Sequence, residues 1–395
     1  MKKLFFIAAI AGAALVSCTK NELAPSATEQ HEITFASPVT SLVTKGVDLV
    51  TGNKYPTSAP FWVFADHHMD RVTDFTNASD EIFTSYMRGP ENTAGDKIGV
   101  YVEHNDGPDP GNDLTTIDTY WAPTSKYYWP MQGYLTFAAY STGTAAQLSG
   151  YEDLKYDIQN GLQLTNYTVS MSNQYDFMLS QRAENLQKDA SIDRDGNIKY
   201  DGVEIQFNHA LSAIKFIVKT ADDYQTNGGY TITLNSLSVQ GAYTTADLIQ
   251  FPVTSATMWS DYENDSVTSG TDVKPSEYPV TFANANPTLS EDDTTLCGET
   301  DTDLVLLPQA LNGTSHDVKV YMTYTVNHAD MNKPIPYTAT LDLADNSTAS
   351  DATWDAGKRY LYTIIIGMEE IVFAPTIVTD WVTDTNPEVQ EDINL

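Results

Sequence analysis

Apolar and polar residues alternate with a period of two through nearly every recognisable segment of this chain. Ile33, Phe35, Val39 and Val43 share one face of residues 33–43, with polar or small residues opposite. Tyr134-Leu135-Thr136-Phe137, Val203-Glu204-Ile205-Gln206-Phe207 and Ala213-Ile214-Lys215-Phe216-Ile217-Val218 repeat the pattern, as do Tyr230 to Leu234, Val318 to Tyr324 and Tyr360 to Ile366. Successive side chains of a strand point to opposite faces, so this period specifies strands, each with a face to bury. Turn residues separate the runs: Asp195-Gly196-Asn197, Asn227-Gly228-Gly229 and Asn312-Gly313. The one helix candidate of any length, Asp176 to Lys188, is a weak one. The pattern predicts an all-β chain of β-sandwiches.

At 395 residues the chain exceeds what one core usually holds, so two domains are expected. The seam is placed near 190–202, giving an N-terminal sandwich over 31–198 and a C-terminal one over 199–395. Residues 261–303 carry 11 acidic residues and a single lysine, Lys274, and read as a long surface excursion of the second domain. The net charge of −32 makes the surface repel phosphate backbones, so nucleic acid is not an expected partner.

The start of the chain is more specific. Lys2 and Lys3 precede an apolar run from Leu4 to Val16, too short for a comfortable bilayer span and suited to an export signal over 1–17. It closes on Leu15-Val16-Ser17-Cys18, which resembles a bacterial lipobox, in which a small residue precedes a cysteine whose sulfur is acylated. Cys18 is therefore the expected lipidation site, and anchoring would be by lipid rather than by a helix. Residues 18–30 have no apolar period and read as a flexible tether. With Cys18 acylated, the only other cysteine, Cys297, has no partner within the chain, so packing alone must hold the fold.

Other constellations carry less. Asp193-Arg194-Asp195-Gly196-Asn197 hints at a calcium loop, but the sixth position, where an EF-hand needs glycine, is Ile198, and a hairpin turn explains the residues. His67 and His68 are adjacent, hence on opposite faces of a strand and poor joint ligands; no metal and no cofactor is expected. His209 reads as structural. No Gly-x-Ser-x-Gly elbow or phosphate-cradling loop appears, and the acidic setting of Cys297 would raise its pKa, so no catalytic residue is assigned and an enzyme is not expected. The aromatics Tyr120, Trp121, Tyr127, Tyr128, Trp129 and Tyr134 are read as core. Exposure of Tyr127, Tyr128 and Trp129 would instead favour a monomeric surface lipoprotein that binds glycans.

One strand occurs twice. Ile33-Thr34-Phe35-Ala36-Ser37-Pro38-Val39 and Ile371-Val372-Phe373-Ala374-Pro375-Thr376-Ile377 share Ile, Phe and Ala at one offset, with Val facing Ile further on. Two readings stand: a chance likeness between two β-strands, or one strand meant to take the other's place in a neighbouring molecule.

Taken together, several segments resemble the fimbrillin family, the Mfa-like lipoprotein pilins of Bacteroidota. They are Cys18 in its lipobox, Ile33-Thr34-Phe35 leading to Thr44-Lys45-Gly46, Ala59-Pro60-Phe61-Trp62-Val63-Phe64-Ala65 and Tyr128-Trp129-Pro130. Asn208 to Phe216, Leu306-Leu307-Pro308-Gln309, Trp354 to Tyr362 and Phe373 through Trp381 complete the set. The resemblance implies two transthyretin-like β-sandwich domains in tandem and a subunit of a cell-surface fimbria, as stalk, tip or accessory. It also implies outer-membrane anchoring and a trypsin-like maturation protease that cuts behind the first strand. Here that strand would be 32–44, carrying Ile33, Phe35, Val39 and Val43, with cleavage at Lys45. A partner subunit's terminal strand would then fill the groove, and a host or bacterial surface receptor is a further possible partner. The donor would be the tail, offering Ile371, Phe373, Ile377 and Trp381. Pro375, which cannot donate to a ladder, leaves open that Ile371–Trp381 is the last strand of its own domain.

Overall fold

A computed structural model describes residues 31–40, 55–77, 80–107, 119–143, 148, 153–169, 175–188, 202–221, 229–252, 257–263, 277–279, 286–291, 294–295, 303–312, 317–344, 352–367, 371–373 and 376–380. These residues are all-β apart from one three-residue 3-10 turn at Asp80–Ile82. Strands are numbered in chain order.

The largest sheet runs in the order β1 (Val39–Thr40), β11 (Gln206–His209), β9 (Met178–Ser180), β6 (Tyr134–Ser141), β2 (Phe61–His68), β4 (Val100–Asp106) and β5 (Thr119–Pro123). Strand β3 (Thr84–Met87) pairs with β2, and β10 (Ala183–Leu186) pairs with β6. Strand β2 is central and buried on both faces, which is why its sequence reads as a continuous apolar run. Phe61, Val63 and Ala65 join one core, and Trp62 and Phe64 join another. The second core is completed by a sheet in the order β15 (Trp259–Glu263), β14 (Thr245–Ile249), β8 (Gly161–Thr168) and β7 (Lys155–Asp157). Gln250, buried, ties the two sheets: its Nε2 donates to the Ser180 carbonyl at 2.8 Å and its Oε1 accepts from the Leu162 amide at 2.9 Å.

Both sheets therefore take strands from either side of residues 198 and 199, where the sequence suggested a seam. Strand β11 pairs with β9 and β1, and β14 pairs with β8. The remaining two sheets come wholly from residues beyond 211. One runs β17 (Thr294–Thr295), β12 (Ser212–Thr220), β21 (Lys358–Ile366) and β22 (Ile371–Phe373), with β18 (Leu304–Leu306) on β12 and β23 (Ile377–Asp380) on β21. The other runs β16 (Glu277–Pro279), β13 (Tyr230–Gln240), β19 (Lys319–His328) and β20 (Ile335–Asp342). Strands β12 and β21 pair in parallel from Ala213↔Arg359 to Thr220↔Ile366. Their alternate residues Ile214, Phe216, Val218, Tyr362, Ile364 and Ile366 share a core with Ile232, Leu234, Val239, Val320 and Met322 of the facing sheet, as the period of two requires. Trp354, buried beneath β21, donates its Nε1–H to the Tyr362 hydroxyl at 2.9 Å.

The stretch read as a weak helix, Asp176 to Lys188, holds β9 and β10 instead. Met178 and Leu179 lie between β6 and β11 and take their hydrogen bonds from both neighbours, so sheet pairing outweighs local propensity.

Candidate assembly site

The N-terminal segment 31–36 is built into the interior. Ile33, Thr34 and Phe35 are each 0% exposed. On one side the Phe35 amide donates to the Trp121 carbonyl at 2.8 Å and the Trp121 amide returns the bond at 3.0 Å. Ile33 N–H donates to Tyr127 O at 2.7 Å, and Trp129 N–H to His31 O at 3.0 Å. On the other side Val203 N–H donates to Thr34 O at 2.9 Å, and Ala36 N–H to Val203 O at 3.1 Å. Beyond these bonds the chain continues as β1, parallel to β11. Trp121 lies in β5, at one end of the large sheet, whereas Val203 leads into β11 near the other. The segment is thus the stave that joins the sheet's two ends into a ring.

The ring's interior is aromatic. The Phe35 side chain meets Phe61 edge-on at 5.4 Å and Phe137 edge-on at 5.9 Å, with Tyr55, Trp121 and Phe207 completing the box. Gly202 lets the stave come this close. Its φ is +89°, and a Cβ there would sit 2.5 Å from the Ala36 nitrogen and 2.6 Å from the Phe35 carbonyl carbon. At the mouth, the Glu32 carboxylate pairs with Lys126 Nζ at 2.7 Å, and that hydrogen bond pushes the Lys126 amine above its ordinary value.

Burying Ile33 and Phe35 is worth about 1.5–3 kcal/mol each, and each of the six backbone bonds about 1 kcal/mol. These gross gains are offset by the backbone entropy of ordering the segment, about 1–2 kcal/mol per residue.

The tail lies elsewhere. Ile371–Phe373 and Ile377–Asp380 pair antiparallel with β21, in the registers Ile364↔Phe373, Ile366↔Ile371 and Leu361↔Ile377. Lys358 pairs with Asp380. Ile371 and Phe373 are half-buried, but Val372, Ile377 and Val378 are 43%, 52% and 51% exposed on this outer strand. A strand at the edge of a sheet with exposed apolar side chains is a template for pairing with another chain.

The other expected residues distribute as follows. Ile33 and Phe35 are in the ring, Val39 is in β1, and Ile371, Phe373 and Ile377 are in the tail strands. Cys18, Val43, Lys45 and Trp381 lie outside the described residues, as do Asp193–Asn197 and Cys297. Trp129 is buried, and Tyr127 and Tyr128 are half-buried, so these rings do not form an open sugar-stacking platform. His68 is buried, with Nδ1 against Asp70 O at 2.7 Å and Nε2 against the Thr136 hydroxyl at 3.0 Å, whereas His67 Nε2 reaches Gln132 O at 2.8 Å. His209, at the end of β11, holds Asp176 at 2.6 Å. Tyr55, Gly202, Glu32 and Lys126 were not singled out by sequence. Only Glu32 left a signal, because the same residue type precedes the second copy of its motif at Glu370.

A model of the fimbrillin-like family matches residues 76–381. This chain belongs to that family. Fimbrillin-like proteins are structural subunits of cell-surface fimbriae rather than enzymes. Among solved structures, the chain is similar to a fimbrial protein from Bacteroides vulgatus, at 15% identity and a TM-score of 0.48, covering 89% of this chain and 100% of that one. It is also similar to the tip fimbrial protein Mfa3 from Porphyromonas gingivalis with C-terminal truncation, at 8% identity and a TM-score of 0.32, covering 81% and 100%. No curated protein sequence matches it.

Proposed function

We propose that this fimbrial subunit is exported as an outer-membrane lipoprotein acylated at Cys18, built as two tandem transthyretin-like sandwiches, and assembled by strand exchange. A trypsin-like protease cuts at Lys45 and frees the stave 32–44. The tail of a partner subunit, beginning at Ile371, then takes its place, and the resulting fibre supports adhesion to a surface receptor. One observation carries this reading: the Ile and Phe of the repeated Ile-x-Phe are fully buried in the ring at Ile33 and Phe35 and only half-buried on an outer strand at Ile371 and Phe373. Moving Ile371 and Phe373 from half to full burial gains about 1.5–3 kcal/mol, and added main-chain bonds align the incoming strand. Pro375 falls at the place of Ser37, which is exposed.

The test is limited digestion of the purified chain. A trypsin-like protease should release a fragment ending at Lys45 and yield a ladder of oligomers, and Lys45→Gln should block both. Clean cutting that leaves only monomer would count against assembly by exchange.

A further inference from the structure

Within the exchange reading above, the groove must choose one register for the strand it accepts. Alternation alone does not suffice. A slip by one residue turns the apolar side chains out of the ring and is strongly disfavoured. A slip by two keeps every side chain on its proper face and only exchanges neighbouring pockets. Something outside the apolar pockets has to reject it.

The mouth of the groove supplies that element. Glu32 is bridged to Tyr128 and is buried, with its side chain 11% exposed, and its carboxylate meets Lys126 Nζ at 2.7 Å. Lys126 itself projects from the turn after β5, with its side chain 64% exposed, so it stays in place when the stave leaves. In a chain with 53 acidic and 21 basic residues, a cation at a groove mouth faces few competitors of its own sign. The two copies of the repeated strand agree one residue further back than the apolar pattern demands: Glu32-Ile33-Thr34-Phe35-Ala36 against Glu370-Ile371-Val372-Phe373-Ala374. Val372 is close in shape to Thr34. Glu204-Ile205-Gln206-Phe207 shares the first four features, but it leads into β11 as part of the ring wall and continues with Asn208.

We propose that Lys126 is the register- and specificity-determining residue of the groove, and that the strand it selects is residues 370–377 of a second copy of this chain, whose Glu370 takes the place of Glu32. In the correct register the carboxylate stands where Glu32 stood. A two-residue slip carries it about 7 Å along the strand, out of hydrogen-bond reach. A tail without an acid directly before its Ile-x-Phe would seat its apolar groups but lose this lock.

The experiment uses the full chain, cut behind the stave so that both pieces remain present, and a fluorescent peptide of residues 368–381. Peptide binding and release of the stave are followed for wild-type chain and Lys126→Glu, each with wild-type peptide and Glu370→Lys peptide. Because Lys126→Glu repels Glu32 of the stave as much as Glu370 of the peptide, the readout is the preference between peptides on one chain: wild type should take the wild-type peptide about tenfold better than the Glu370→Lys peptide, and Lys126→Glu should reverse that order. Lys126→Gln, which introduces no repulsion, should fall between. Equal binding in all combinations overturns the role of Lys126 while leaving exchange intact. Failure of every peptide to displace the stave overturns exchange itself, and this inference with it.

Discussion

Replacing Phe35 by Ala tests whether the N-terminal stave is part of the fold. The ring is 0% exposed and packs edge-on against Phe61 and Phe137 at 5.4 and 5.9 Å. Truncating a buried Phe costs about 3–5 kcal/mol, from lost transfer energy and from the cavity left among neighbours that are themselves locked. Trp121 and Phe207 are held by sheet ladders and Tyr55 by its hydroxyl bond to the Pro60 carbonyl at 2.9 Å, so collapse into the space is restricted. For a unit of this size the melting temperature should fall by about 10 °C. Urea unfolding of the uncut chain, followed by tryptophan fluorescence, measures the loss directly. Ser37→Ala, two residues away and exposed, should stay within about 0.5 kcal/mol of wild type. A Phe35→Ala loss below about 1 kcal/mol would refute the reasoning, because the stave would then contribute little to the interior.

Arg359 Nε lies 2.5 Å from Asp303 Oδ2, and its Nη2 donates to Asp303 Oδ1 at 2.8 Å, tying the segment before β18 to β21; Asp303→Asn should cost about 2 kcal/mol in the same urea assay. Burial pushes Tyr262 up to about 12 from 10.0, so its folded form holds the proton more tightly than the unfolded chain does. Its contribution is therefore complete below pH 10 and is lost as pH rises from 10 toward 12; Tyr262→Phe should flatten that alkaline decline, measured as the urea midpoint against pH. Cys18→Ala should move the protein out of the membrane fraction on cell fractionation, and an unchanged distribution would refute lipid anchoring.

Much of the fold was legible because its signal is local. Alternation in 213–218 and 360–366 named the faces that meet in the C-terminal core, and Trp121 and Trp129 were read as core from the aromatic cluster 120–134. The ring was not legible. Its closure depends on Phe35 meeting both Trp121 and Val203, contacts far apart in sequence that no local pattern encodes. For the same reason β14 and β15 could not be assigned to a sheet with β8 from sequence. The run Phe61-Trp62-Val63-Phe64 announced burial but not its two different cores. The repeat of Ile-x-Phe-Ala was visible from the start, whereas the importance of the preceding glutamate emerged only when Glu32 was seen against Lys126. The tail's pairing with β21 was one of two readings open in the sequence. That pairing is compatible with donation, because an outer strand half-exposed on its own sheet has more to gain in a partner's ring.

The central claim is an exchange of occupants at one position, and chemical coupling of neighbouring amines to carboxylates reads that position out. Isotopically heavy and light copies are mixed, cut behind the stave, allowed to assemble, treated with a zero-length carboxyl-to-amine coupling reagent and digested for mass spectrometry. Uncut chain should give the Lys126–Glu32 link, and assembled material should replace it with Lys126–Glu370 links joining heavy to light copies. Persistence of Lys126–Glu32 in the assembled material, with tail links confined to Lys358–Asp380 within one copy, would contradict the account.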